Sequence, residues 1–154
     1  MNPARNKSQT KSSAGTKFNL NLDGVKHLAT KLARQYRTRD AAIGLVGPLG
    51  AGKTAFAKEF AKFFGVKKVK SPTFMVSARY EIGKRTLFHF DLYRIDNPGK
   101  LKALDLEEIL ASKNRIVLIE WADKFPKLHP KLNLLLKFEV TGKNLRHVTL
   151  HKKL

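Results

Sequence analysis

The chain has 154 residues, contains no cysteine and carries a formal net charge of +19. This length suits one domain, and a hydrophobic content of 42% argues against wholesale disorder. Disulfides and thiolate metal sites are excluded, and no apolar run reaches the length that a membrane span needs. We predict a soluble cytoplasmic protein with a disordered basic tail at residues 1–17, which lacks the apolar segment of a secretory signal, and one domain at residues 18–154.

The positive charge predicts anionic partners, because it creates a positive field over much of the surface. The basic residues are spread along the chain, with only short runs such as Lys67–Lys70. No interleaving of basic and aromatic residues indicates an RNA-binding module. The sequence therefore leaves open whether nucleic acid or an acidic protein surface is the partner.

The first half of the chain predicts two strands and two helices. A strand is expected at 16–20, followed by a helix that Asn21 or Asp23 can cap. The continuous apolar run at 41–46 is typical of a parallel strand buried on both faces. Apolar residues then recur at helical spacing, namely Phe56, Ala57, Phe60, Phe63 and Phe64.

The second half predicts a mixed sheet. Segments 75–81 and 85–91 favour an antiparallel hairpin, since a glycine turn joins them. A short helix is expected at 104–111 and a second buried strand at 115–121. Segments 133–140 and 146–150 can close as a final hairpin. The expected fold is an α/β, P-loop NTPase-like three-layer sandwich with a mixed central sheet.

The segment Gly47–Thr54 reads G-x-x-x-x-G-K-T, the phosphate-binding loop of nucleoside triphosphatases. It lies between a predicted buried strand and a predicted helix, as such a loop requires. Its glycines allow backbone amides to converge on phosphate oxygens, while Lys53 can reach the β- and γ-phosphates and the Thr54 hydroxyl can ligate Mg²⁺. The predicted nucleotide contacts are Gly47, Leu49, Gly50, Ala51, Gly52, Lys53, Thr54 and Ala55.

Three further segments place polar residues where chemistry can use them. Thr73 lies in Ser71–Phe74, which is either a switch-like loop near the γ-phosphate or an ordinary turn. Asp91 ends a predicted strand and is either a magnesium-orienting carboxylate or a salt-bridged surface residue. Glu120 closes an apolar strand in the Walker B arrangement, where it can bind Mg²⁺ directly or through water, or orient the attacking water.

Four linked motifs together resemble the bacterial TsaE family, also called YjeE. They are the phosphate loop, Ser-Pro-Thr-Phe at 71–74, His-Phe-Asp-Leu-Tyr-Arg at 89–94 and Ile-Glu-Trp at 119–121. The resemblance covers roughly residues 20 to 150. It implies an ATPase that supports formation of N6-threonylcarbamoyladenosine at position 37 of tRNAs, as a partner of the TsaB and TsaD subunits, with tRNA contacted indirectly or weakly.

The resemblance also implies roles for individual residues. Lys53 would hold phosphates of ATP, Thr54 and Glu120 would ligate Mg²⁺, and Asp91 would be a second essential acid. Thr73 would belong to the mobile loop over the nucleotide, and Trp121 would lie beside the site. Arg146 matches a late strand position of the family and is a further candidate for nucleotide contact.

Two residues depart from the family pattern. Pro48 stands where the family usually has Asp or Glu, which removes a negative charge and a backbone donor from the phosphate loop. Val25 stands where the family often has a Thr near the nucleotide.

Other functional classes fit the sequence less well. A small-molecule kinase would need a lid with clustered arginines, which is not found after Arg94. A GTPase would need an Asn/Thr-Lys-x-Asp tetrad, which does not occur in the sequence. A non-enzymatic RNA-binding protein would leave Lys53, Thr54, Asp91 and Glu120 without a role.

Overall fold

The computed structural model describes residues 10–12, 15–70 and 75–153. In this part of the chain, eight strands form one mixed sheet in the order β1-β2-β8-β7-β3-β6-β5-β4. The strands are β1 Thr10–Ser12, β2 Gly15–Leu20, β3 Ala41–Val46, β4 Ser77–Ile82, β5 Arg85–Asp91, β6 Arg115–Glu120, β7 Leu134–Val140 and β8 Arg146–Lys152. The helices are α1 Leu22–Gln35, α2 Lys53–Phe63, α3 Pro98–Lys102 and α4 Leu106–Ala111, with 3₁₀ turns at Ala122–Lys124 and Pro126–Lys131.

The centre of the sheet is parallel and its flanks are antiparallel. Strand β3 pairs in parallel with β6 and β7, and β6 pairs in parallel with β5. Alternate residues of β6 enter opposite cores: Ile116 and Leu118 pack with α1 and α2, whereas Val117 and Ile119 pack with α3 and α4. The sheet therefore lies between two helical layers, and the expected α/β fold with a mixed sheet is confirmed.

Most predicted elements are found close to their expected positions. Asn21 is the residue that caps α1, because its side-chain oxygen accepts a hydrogen bond of 2.8 Å from the Gly24 amide. The hairpins β4–β5 and β7–β8 form as expected. Helix α3 was not predicted, although Asn97 caps it and Pro98 opens it.

The predicted tail extends too far along the chain. Residues 10–12 form β1 and residues 15–17 begin β2, which pairs with β8. Basic and polar composition suggested disorder, but edge strands commonly carry lysine, which discourages pairing with other chains. Residues 1–9 and 13–14 lie outside the described part.

Among the described residues, no helix is both long and apolar enough to cross a membrane.

Candidate functional site

The loop between β3 and α2 forms a cradle of backbone groups. Gly47, Gly50 and Gly52 have φ values of 146°, 75° and 108°, a region that L side chains rarely adopt. Gly52 also provides the N-cap of α2 without a side-chain hydrogen bond. The first-turn amides of α2 thus lack a capping side chain, and together with the helix dipole they are suited to an anionic ligand.

Lys53 is the buried cation of this cradle, with a relative exposure of 5%. Its Nζ donates hydrogen bonds to the carbonyl oxygens of Gly47 and, at 3.0 Å, of Pro48. Burial lowers the pKa of Lys53, and the carboxylates of Glu120 and Asp91 offset part of this effect. An anionic ligand would supply additional negative charge beside this buried ammonium.

Glu120 lies opposite the first turn of α2. The Thr54 hydroxyl donates a hydrogen bond of 2.8 Å to Oε1 of Glu120, which is 2% exposed. Asp91 is aligned with Glu120 in the parallel register of β5 and β6. Because parallel strands end at the same sheet edge, the two carboxylates and the phosphate loop meet there.

Asp91 is not a salt-bridged surface residue. It is buried, and its Oδ1 accepts a hydrogen bond of 3.0 Å from the Tyr93 amide. No ion pair of Asp91 is found within the described residues. The alternative in which Asp91 forms a salt bridge at the surface is therefore wrong. Its position at the cleft fits the alternative of a magnesium-orienting carboxylate.

Trp121 covers Lys53 from the sheet side. The Lys53 Nζ lies 4.1 Å from the centroid of the indole ring, within the range of a cation–π interaction. Trp121 has a φ of 61°, a left-handed conformation that is strained for a bulky residue. Its amide donates to the Leu45 carbonyl at 2.9 Å, which ties it to β3.

His89 adds a buried ring beside Glu120. Its Nε2 lies 3.4 Å from Oε2 of Glu120, and the side chain is 1% exposed. The contact lacks hydrogen-bond geometry, and neither ring nitrogen has a hydrogen-bond partner among the described residues. The sequence motif contained His89 without giving it a role.

These residues surround one open cleft of about 490 Å³. Its lining includes most of the predicted site, namely Leu49, Gly50, Gly52, Lys53, Thr54, Ala55, Asp91, Glu120 and Trp121. Sequence reasoning missed the apolar side chains of Leu22 and Tyr93 on the same wall; only the position of Tyr93, inside the 89–94 motif, was a usable signal. Tyr93 also packs on Trp121, with ring centroids 5.1 Å apart.

Other predicted residues lie outside this lining. Gly47 and Ala51 support the loop from behind, and a Cβ on Gly47 would lie 2.5 Å from the Phe138 carbonyl oxygen. Arg146 lines a neighbouring cleft of about 350 Å³ with Asn21, Leu22, Asp23 and Asn144. Its Nε is buried without a hydrogen-bond partner in the described structure. Thr73 lies outside the described residues, so its predicted role stays a prediction.

The donor set suits magnesium better than a transition metal. Within the described residues, no group of three or more His, Cys, Asp or Glu side chains could hold a metal ion. A hydroxyl and a carboxylate in contact are hard oxygen ligands, and Mg²⁺ commonly takes one or two such groups and fills its shell with phosphate oxygens and water. Thr54 and Glu120 fit this requirement.

Comparison with known proteins gives the family. The family model described as "Threonylcarbamoyl adenosine biosynthesis protein TsaE" matches residues 20–148. The chain belongs to the TsaE family. The resemblance seen in the four motifs is thereby confirmed, and membership assigns the chain to threonylcarbamoyladenosine biosynthesis.

Individual TsaE relatives match over most of their length. The tRNA threonylcarbamoyladenosine biosynthesis protein TsaE of Rickettsia prowazekii is 33% identical over 131 residues, which cover 84% of this chain and 89% of that protein. The Bacillus subtilis protein of the same name is 32% identical, with 84% and 80% covered. The crystal structure of Bacillus subtilis YdiB superposes with a TM-score of 0.67 at 26% identity, covering 92% of this chain and 87% of that one.

Proposed function

We propose that this TsaE-family chain is a Mg²⁺-dependent, P-loop ATPase that supports threonylcarbamoyladenosine modification of tRNA as a partner of TsaB and TsaD. The observation that carries the proposal is the contact of Thr54 and Glu120 at the base of a glycine cradle that contains Lys53. This arrangement combines an anion site, a cation and two hard oxygen ligands in one cleft.

Each residue has a distinct task in the proposed reaction. The loop amides and Lys53 hold the phosphates of ATP, where positive charge offsets the charge that develops during phosphoryl transfer. Thr54 and Glu120 hold Mg²⁺, which when bound neutralises phosphate charge and orients the leaving group. Asp91, fixed by the Tyr93 amide, is placed to orient water or a metal-bound ligand at the same edge.

The aromatic wall supports nucleotide retention. Trp121 and Tyr93 pack against each other beside Lys53, and a nucleotide bound against these rings would be shielded from water on that side. Excluding water strengthens every electrostatic interaction with the phosphates. We assign these rings to binding rather than to chemistry.

Family membership and the lining of the cleft support the proposed partnership with TsaB and TsaD. Within the described residues, no arginine lines the cleft itself; Arg146, whose Nε would lie 3.9 Å from a Cβ on Gly52, lines the neighbouring cleft. In many P-loop enzymes a partner supplies an arginine that contacts the γ-phosphate, and hydrolysis is slow without it. We therefore expect slow hydrolysis by the isolated chain and a larger functional effect within the complex.

The first experiment is a nucleotide-binding and phosphate-release assay on the purified chain. ATP should bind, and release of phosphate should require Mg²⁺. Lys53→Ala should lose both activities while keeping the parent circular dichroism spectrum. Equal phosphate release by Lys53→Ala and the parent would reject the site.

A further inference from the structure

The two helical layers differ in their exposed charges: the layer of α1 and α2 exposes mainly cations, with Asp23 at its start, whereas the layer of α3 and α4 exposes acids and lysines together. The outer faces of α1 and α2, with the segment after α2, expose Lys26, Lys31, Arg34, Lys58, Lys62, Lys67, Lys68 and Lys70. We call this set the basic layer. The layer of α3 and α4 and the turns beside it carry most of the exposed acids, namely Asp96, Asp105, Glu107, Glu108 and Asp123.

Ion pairing does not neutralise the basic layer. In the described part of the chain, which contains all twelve acidic residues, the exposed ion pairs join Arg79 to Glu81, Lys100 to Asp96, Lys127 and Lys131 to Glu107, and Lys137 to Glu139. None involves a cation of the basic layer. An unneutralised array of this kind produces a strong local positive potential.

The chemistry of the basic layer selects one kind of partner. A protein-docking surface has an apolar or aromatic centre, yet the exposed large hydrophobic residues of the described structure lie elsewhere, apart from Leu22 at the start of α1. Single-stranded RNA binds through stacking on exposed aromatic rings, which the layer also lacks. A surface that exposes lysines and arginines without aromatic rings is suited to the phosphate backbone of a double helix.

We propose that the basic layer binds the backbone of double-helical RNA, such as a tRNA stem, without reading its sequence. The surface lies on the outer side of α1 and α2, so it is separate from the nucleotide cleft at the sheet edge. Binding through the phosphate backbone alone is weak and salt-dependent. This interaction does not depend on the proposed ATPase activity.

Two charge-matched variants test the proposal. The layer variant combines Lys31→Gln, Arg34→Gln, Lys58→Gln and Lys62→Gln. The control combines Lys84→Gln, Lys102→Gln, Lys113→Gln and Lys143→Gln, which are exposed lysines elsewhere. Filter binding of a synthetic RNA hairpin at several salt concentrations gives the slope of log K against log salt for each protein.

We expect the slope of the layer variant to be shallower than that of the parent by about 3, since each phosphate that a cation neutralises contributes roughly 0.7–0.9 to the slope. The control should change by less than about 1. Equal slopes for the two variants would overturn the proposal. So would tighter binding of single-stranded RNA than of the hairpin, or a layer variant that no longer associates with TsaB–TsaD but binds RNA like the parent.

A different observation concerns His89, and this second inference rests on the proposed function. A buried imidazole whose nitrogens lack hydrogen bonds destabilises the fold, so it needs an explanation beyond packing. Its Nε2 faces Oε2 of Glu120, while Oε1 of the same carboxylate accepts the Thr54 hydroxyl. Each carboxylate oxygen therefore has one neighbouring side chain.

We infer that His89 is a positioning residue, whose Nε2 fixes the orientation of the Glu120 carboxylate for the metal. Neutral imidazole can donate through Nε2, so the role needs no change of protonation. Partners of this kind commonly change metal affinity by 10- to 100-fold when removed. The nucleotide-binding loop does not depend on His89.

His89→Leu and His89→Gln separate positioning from packing. The Leu variant should fold at least as stably as the parent and bind ATP in EDTA equally well. Its half-maximal Mg²⁺ concentration for hydrolysis should rise by about tenfold, and Gln, which keeps a donor, should restore part of this loss. An unchanged Mg²⁺ requirement in His89→Leu would overturn the inference. If the parent itself does not hydrolyse ATP, the proposed function fails instead.

Discussion

The Thr54 hydroxyl donates a hydrogen bond of 2.8 Å to Glu120, a residue 66 positions away in the chain. This bond joins the first turn of α2 to the end of β6. It places both predicted metal ligands in contact beside the phosphate cradle. Substitutions at these two residues and their neighbours can therefore separate phosphate binding from metal binding and from folding.

Thr54→Ala should reduce ATP hydrolysis by about 10²–10³-fold while leaving the fold intact, because the hydroxyl acts on metal and carboxylate rather than on packing. A phosphate-release assay measures the loss. Thr30→Ala, at a partly exposed threonine of α1 that bonds only the Lys26 carbonyl, is the matched control and should hydrolyse like the parent. Full activity in Thr54→Ala would argue against its role.

Glu120→Ala should abolish turnover more completely than nucleotide binding. The loop amides and Lys53 still hold the phosphates, whereas a carboxylate that orients metal or water contributes mainly in the transition state. Calorimetry and phosphate release on one preparation give both quantities. Equal losses in affinity and rate would instead indicate that Glu120 supports ground-state binding.

Lys53 should make stability depend on pH in a defined direction. Burial lowers its pKa below the ordinary value of 10.5, so the unfolded chain binds more protons than the folded chain between these two values. The contribution of Lys53 to the free energy of unfolding therefore rises with pH through that window. Lys53→Met removes this dependence.

Urea unfolding of Lys53→Met and of the parent at several pH values tests this sign. The stability of the Met variant minus that of the parent should decrease as pH rises from neutral towards 10.5. Lys58→Met, on the exposed side of the same helix, controls for loss of one charge. A difference that grows with pH would contradict the direction of the shift.

Gly47→Ala should destabilise the fold by roughly 3 kcal/mol, since strain at positive φ adds to overpacking. The new Cβ would meet the Phe138 carbonyl oxygen at 2.5 Å. Gly83 also has a positive φ, 66° against 146° for Gly47, but no atom would lie within 4 Å of its new Cβ, so Gly83→Ala should cost only about 1 kcal/mol. Chemical denaturation measures both; similar losses would show that the close approach to β7 is unimportant.

Local pattern predicted the parts of the site that are contiguous in sequence. The strand, glycine loop and helix around Lys53 follow from an apolar run, a motif and helical spacing, so their geometry needed no knowledge of the rest of the chain. The contacts of Glu120 with Thr54 and His89 depend on the order of β3, β6 and β5, which pairs residues far apart in sequence. The strand-end positions of Asp91 and Glu120 made both residues candidates for one magnesium site, and the family resemblance supported the same grouping.

Composition misled in one place. Residues 10–12 and 15–17 are polar and basic, which favoured a tail, yet β1 pairs with β2 and β2 pairs with β8, so the sheet extends there. Side-chain patterns do not reveal an edge strand whose stability comes from backbone hydrogen bonds. Arg146 was expected at the nucleotide from the family resemblance alone, and β8 places it in the neighbouring cleft.

We propose that ATP turnover at this site supports tRNA modification by the TsaB–TsaD complex. The most direct measurement is multiple-turnover formation of threonylcarbamoyladenosine by reconstituted TsaB and TsaD, with the parent chain, with Lys53→Ala or with neither. We predict sustained turnover only with the parent chain, and a single round with the variant or without it. Equal multiple-turnover rates in all three reactions would contradict the account.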